Sequence, residues 1–514
     1  MALPPAGVVA QGDAAVRRVV QAMSPAEKVA QLFLVPIDGG QASLDGDAAH
    51  LVRDIHVGGV YLDPTRGNFG AGPNAPAEVA RFTAALQSLA AGREPYVPLL
   101  IALAQKGGGF PDSPLVGGVT PLPSPMALGA TWRPEQAEGI GELVGRELAA
   151  VGVNLLLAPD LDVLAVPLPG GPGDRGVSSF GGSPQWVGRL GARYVAGVHT
   201  GGRGRVATAV GHFPGIGGAD RSPEEEVAVV EKTFQELAAT ELVPYEAVAG
   251  GGRPGSRTDA LVTSHVRYRG VQQQLDRPLS LDSGGLRYLW AQVPALDSWR
   301  SSGGVLVSPD LGLPAVRRYD DPNLGSFNHR RVIREALAAG HDVLFVANLD
   351  DGTAGSDLAA VDDGISWLAT VYGEDEAVRA AVDAAVVRVV ALKTRLYPDF
   401  RLEAVAADPE VALRRTGVGT EEVRAVARDA LTRLAPAGGG APAPGSPKAG
   451  DRVLLVVDAR PETRCRGCDP ALSLDPKAMV AITRRTYGRA GAHRVGSRLA
   501  EDCQFPSILS ARCA

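Results

Sequence analysis

Eight short, unbroken apolar runs, each separated from the next by a longer amphipathic stretch, constrain this chain more than any other feature. They cover residues 32–35, 57–62, 99–103, 153–158, 206–210, 260–264, 304–307 and 343–346. A Val/Leu-rich run without polar alternation suits a strand buried on both faces, as in a parallel sheet covered by helices. The intervening segments supply the helices: residues 134–151, 185–199, 224–248 and 329–339 read as helical, the last closed by Gly340 as a C-terminal cap. Ahead of the first run, Ser24 suits an N-cap, Pro25 the first helical position and Glu27 the third, which together make a capping box. Eight strand–helix repeats predict an α/β fold of the (β/α)8-barrel type; a doubly wound open sheet is the alternative and fits the count less well.

The barrel is expected over residues 20–400, after an N-terminal extension of 1–19, with a helical connection over 401–434. Residues 435–450, APAGGGAPAPGSPKAG, read as a Pro/Gly linker. DRVLLVVDAR then opens a short α/β segment, 451–514, of marginal size for an independent domain or a truncated one. All four cysteines fall there: Cys465 and Cys468 in CRGC, then Cys503 and Cys513. Structural zinc, reduced thiols and a disulfide are all compatible with them, and the spacing does not match a compact zinc ribbon, so no metal is assigned.

Charge narrows the partners. A net charge of −6 offers no polycationic face for nucleic acid. No apolar run reaches 18 residues, so no membrane partner is expected, and the N-terminus lacks a basic start followed by an apolar core, so a cytoplasmic location is expected. The glycine-rich pieces GGPGDRG and GGRGR lack a phosphate-loop arrangement and read as loops, so no cofactor is assigned. The oligomeric state is left open.

In such a barrel the chemistry lies at the C-terminal ends of the strands. Those ends carry Ala104, Gln105 and Lys106 after the third run; Asp160 and Asp162 after the fourth; His212 after the fifth; His265 after the sixth; and Ser308, Pro309 and Asp310 after the seventh. Gln105, Lys106, Asp162, His212 and His265 are the candidate substrate-binding groups, a set suited to a hydroxyl-rich ligand. Each of them serves equally well as a paired structural group.

The strand ends also resemble the family 3 glycoside hydrolases of the bacterial β-N-acetylglucosaminidase type, over about residues 20–400. LLIALAQKGG is similar to that family's LIAVDQEGG, VNLLLAPDLDV to NLNFAPVLDV, SSFGGSP to RSFGSDP, GHFPGIG to KHFPGHG, LVTSHV to VMTAHI, and GVLVSPDLG to its nucleophile strand. The resemblance implies retaining hydrolysis of an N-acetylglucosamine-containing sugar, by an Asp nucleophile on strand seven and a His–Asp acid/base in the loop after strand five. This chain departs from the pattern. Pro309 stands at the nucleophile position, and the Asp-Ser-His of the acid/base loop falls on Ser222, Pro223 and Glu224. Ala104, Lys106, Ser178, Gly211 and Ile216 replace further polar positions of the family. Two outcomes are open: a diverged barrel whose hydrolysis is impaired or lost, with sugar-binding or scaffolding left to it, or an active enzyme using the displaced carboxylates Asp310 and Asp220 or Glu224.

Overall fold

The computed structural model describes residues 6–43, 45–164, 176–350, 357–432, 455 and 460–487. All eight apolar runs contain strands: β1 (Phe33–Pro36), β2 (Gly59–Tyr61), β3 (Leu100–Leu103), β4 (Leu155–Leu156), β5 (Ala207–Phe213), β6 (Ala260–Thr263), β7 (Val305–Val307) and β8 (Leu344–Phe345). They lie side by side, all parallel, in the order β8-β1-β2-β3-β4-β5-β6-β7. A parallel bridge between Val307 and Val343 joins the two ends of that order into a ring. One residue from each strand, Leu34, Val60, Ile101, Leu156, Val210, Leu261, Leu306 and Leu344, has no exposed surface. Truncating any of the leucines or Ile101 among them to alanine is expected to remove about 2–5 kcal/mol of stability.

Helices return the chain to the start of each strand, and local chemistry fixes several of them. Ser24 and Glu27 form the expected capping box, with Ser24 N–H donating to Glu27 Oε2 at 2.7 Å and Glu27 N–H to Ser24 Oγ at 3.3 Å. Gly340 ends His329–Ala339 with φ +104°, a conformation that costs glycine nothing. The helices Pro134–Ala150 and Pro184–Gly201 cross at backbone contact. A Cβ at Gly145 would lie 2.1 Å from Val198 O, and one at Gly201 would lie 1.9 Å from Glu142 O.

The expected helix over residues 224–248 is not one helix. Residues 223–225 form a turn, Val229–Val230 pairs in parallel with Arg267–Tyr268, and only then do Phe234–Ala239 and Leu242–Gly250 form helices. Burial of Ala228 and Val230 in that pairing outweighs the helical propensity of the preceding glutamates. The true helix start is Thr233, which makes a capping box with Glu236.

Beyond the barrel, helices Pro409–Arg415 and Thr420–Asp429 pack in the main unit, where the buried Glu147 carboxylate accepts from Thr120 Oγ1 at 2.7 Å and Gly417 N–H at 2.8 Å. The described residues fall into two compact units. One holds the chain up to Thr432 together with Thr463–Asp469. The other contains the antiparallel pair Pro461–Glu462 and Ala471–Leu472 and the helix Pro476–Tyr487. The expected linker, most of the DRVLLVVDAR strand, Cys503 and Cys513 lie outside the described residues. Cys465 and Cys468 are joined in a disulfide.

Candidate active site

The strand exits enclose a cavity of about 240 Å³. From β3, Lys106 reaches across to β4, its Nζ donating to Asp160 Oδ2 at 2.8 Å. Asp162, two residues further on and buried, accepts from His212 Nδ1 at 2.8 Å and, through its other oxygen, from Ile216 N–H at 2.9 Å. Since a carboxylate only accepts, His212 carries a proton on Nδ1.

Past β6, His265 Nε2 meets the Asp310 backbone carbonyl at 3.0 Å and Nδ1 meets Ser280 Oγ at 2.7 Å. The carbonyl fixes the proton on Nε2, so Nδ1 accepts from the serine. Burial pulls the ring down to about 4, so it is neutral at pH 7.

The exit of β7 is the decisive element. Ser308 Oγ accepts from Phe345 N–H at 2.9 Å, and Pro309 lines the cavity. The Asp310 carboxylate is committed to the chain around it. Oδ1 accepts from Gly312 N–H at 3.0 Å and Ala347 N–H at 2.8 Å, and Oδ2 accepts from Asn348 Nδ2 at 3.3 Å. Burial pushes this carboxyl up to about 6, against the opposing effect of those donors.

The structure thus gathers Lys106, His212, His265, Pro309, Asp310 and Glu224 around one cavity, with Asp162 behind His212. Gln105 and Asp220 are not among the lining residues. Both amide atoms of Gln105 bond to Leu115, Nε2 to its carbonyl at 2.8 Å and Oε1 from its N–H at 3.2 Å, which pins the loop after β3. Asp220 faces outward, paired with Arg221 at 2.8 Å and accepting from Val229 N–H at 2.7 Å. Glu224 is exposed at the cavity rim and lies in a turn, not in the expected first turn of a helix.

Two ion pairs escaped the sequence reading. Lys106 and Asp160 form one; the fully buried Glu241 forms the other with Lys232 Nζ at 2.5 Å, beside Gly215 in the β5 loop. Composition held the signal. The chain has six lysines against 45 arginines, and Lys28, Lys106, Lys232 and Lys393 each bond a side-chain oxygen. Asp160, Asp162 and His212 could present three oxygen and nitrogen atoms within 4.8 Å of one another to a metal ion, but Lys106 already holds Asp160. That cation opposes a second positive charge there.

The model of the glycosyl hydrolase family 3 N-terminal domain matches residues 25–392. The chain belongs to this family. A β-hexosaminidase of Pseudomonas aeruginosa (strain LESB58) is 28% identical over 330 residues, covering 63% of this chain and 85% of the relative. One from Alkalilimnicola ehrlichii is 31% identical over 317 residues, or 59% of this chain and 78% of the relative. Among solved structures, a family 3 β-N-acetylglucosaminidase from Paenibacillus sp. str. FPU-7 superposes with a TM-score of 0.62 at 30% identity, covering 79% of this chain and 68% of that one. The family 3 barrel is therefore the scaffold that carries the cavity, and no helix among the described residues is long and apolar enough to cross a membrane.

Proposed function

We propose that this family 3 barrel binds an N-acetylglucosamine-containing sugar at its strand exits and does not hydrolyse it by the retaining route. One observation carries the reading: Pro309 lines the cavity at the position where the family resemblance calls for a nucleophile, while the adjacent Asp310 carboxylate is tied to Gly312, Ala347 and Asn348. Attack on an anomeric carbon needs a carboxylate oxygen free to approach it. The acid/base role has no histidine to fill it, since none occurs between His212 and His265. The names of the relatives direct the choice of sugar, and Lys106, Asp160 and His212 supply donors and acceptors for its hydroxyls.

A second reading keeps the enzyme active, with Asp310 as nucleophile and Glu224 as acid/base, because both line the same cavity. Asp220, turned outward, is the weaker partner in that scheme. Release of a chromophore from an aryl β-N-acetylglucosaminide, followed alongside melting with and without N-acetylglucosamine, separates the two. A sugar-dependent rise in melting temperature without turnover is expected; turnover abolished by Asp310→Asn would establish the second reading instead. A cytoplasmic location belongs to the same proposal, and the Cys465–Cys468 disulfide opposes it, since such bonds persist mainly in oxidising compartments.

A further inference from the structure

Helices that follow barrel strands run back antiparallel to them, so the first turns of Pro134–Ala150 and Pro184–Gly201 stand at the same end of the barrel as the strand exits. Each of those first turns has a tryptophan beside it. Trp132, at the corner before the first helix, is 58% exposed, and Trp186 lies in the opening turn of the second. Their ring centroids are 5.2 Å apart at 87°, and the Arg189 guanidinium lies 4.8 Å from the Trp186 ring.

This pair is held in place. The backbone-to-backbone crossing at Gly145 and Gly201 fixes the two helices against each other. The corner itself is anchored by Trp132 N–H to Gly129 O at 3.1 Å, by Arg133 Nη1 to Asp429 Oδ2 at 3.0 Å and by Gln136 Nε2 to the same oxygen at 2.6 Å. Trp132 also has φ +55°, a left-handed conformation uncommon for a bulky residue. Folding gains little from a large aromatic ring left more than half in water on so rigid a corner. A pyranose ring has an apolar face of C–H bonds that lies flat on an indole, and hydroxyls at its edge that a guanidinium can bind.

We propose that Trp132, Trp186 and Arg189 form a platform that binds pyranose units of an oligosaccharide at the rim of the barrel, outside the cavity. The choice of sugar rests on the reading of the cavity given above; the platform itself does not require the cavity to be filled.

Titration with N-acetylglucosamine and with its β-1,4-linked tetramer, read by tryptophan emission and calorimetry, tests this on the full chain and on Trp132→Ala, Trp186→Ala and Trp132→Phe. The tetramer is expected to bind more tightly than the monosaccharide. Each alanine variant is expected to weaken tetramer binding about tenfold, with monosaccharide binding unchanged and Trp132→Phe retaining most of the affinity. Tetramer binding that depends on the tryptophans in the absence of any monosaccharide binding would leave the platform standing and remove the cavity reading. Tetramer affinity unchanged in both alanine variants, or no binding of either sugar, would overturn the platform. So would emission from the free protein that acrylamide cannot quench, or that shifts with protein concentration, since the rings would then be covered by this chain or by a second copy.

Discussion

The two ends of the barrel use the same residue types to opposite purposes. At the end where strands begin, the polar groups Asp342, Asp259 and Asn154 are tied into the frame. Asp342, just before β8, pairs with Arg300 and with Arg388 at 3.2 Å and accepts from Leu306 N–H at 2.8 Å. Asp259, before β6, accepts from His199 Nε2 at 2.9 Å and Thr208 N–H at 3.0 Å. Asn154, before β4, accepts from Ile101 N–H at 2.7 Å and donates to Leu99 O at 2.9 Å. Where strands end, polar groups border a cavity, and one of them, Asp310, is buried with neutral donors, Gly312 and Ala347 N–H and Asn348 Nδ2, bonded to its carboxylate among the described residues. The entrance carboxylates named above are held by basic partners and backbone donors, whereas Asp310 at the exit costs stability when ionised.

That contrast can be broken by mutation. Asp342→Ala strands two arginines and should lower stability by about 3–5 kcal/mol, seen as a fall in urea midpoint with an unchanged slope; a loss under about 1 kcal/mol would mean the entrance network holds little. Asp310→Asn should act in the opposite direction. The folded-state value of Asp310, about 6, is raised above the usual carboxylate range, so folding favours its protonated form. The contribution of this group to stability is then highest in acid and falls as pH rises from about 4 to about 6. Removing the charge should return up to about 2 kcal/mol at pH 7 and nothing at pH 4. A variant less stable than the parent at pH 7 would refute the burial account.

The smallest effect is expected at His199. Burial opposes its charged form, but the hydrogen bond to Asp259 outweighs this and raises the imidazole above its ordinary range. Its contribution is fully present below the unfolded value near 6.5 and disappears as pH climbs through the higher folded value. The parent should lose stability over that interval and His199→Gln should not, as measured by urea midpoints across the pH range.

The strands were legible from sequence, because continuous apolar runs admit few environments. All eight lie where strands form, and the Ser24 and Gly340 helix ends follow from side-chain chemistry alone. Longer-range groups were not. Asp342 reads from sequence as a polar group left over from a sugar site or as a paired structural group, and Arg300 and Arg388, arriving from distant helices, make it part of the entrance network. Gln105 sits among strand-exit residues, but a loop ten residues long folds Leu115 back onto its amide. The glutamates at 224–226 resemble a helix start, and only the pairing of Val229–Val230 with Arg267–Tyr268, some 40 residues away, makes them a turn. Local signals fixed the scaffold; side chains brought together by the closed ring decide the site.

The proline at the exit of β7 is tested most directly with a trap that needs no acid catalyst. A 5-fluoro N-acetylglucosaminyl fluoride carries its own good leaving group, so a carboxylate able to attack would be glycosylated and held as a covalent adduct. Intact-protein mass spectrometry after prolonged incubation should show the unmodified mass alone. An added glycosyl mass that peptide mapping places on Asp310 would contradict the account, because that carboxylate would have left Gly312 and Ala347 to act as a nucleophile.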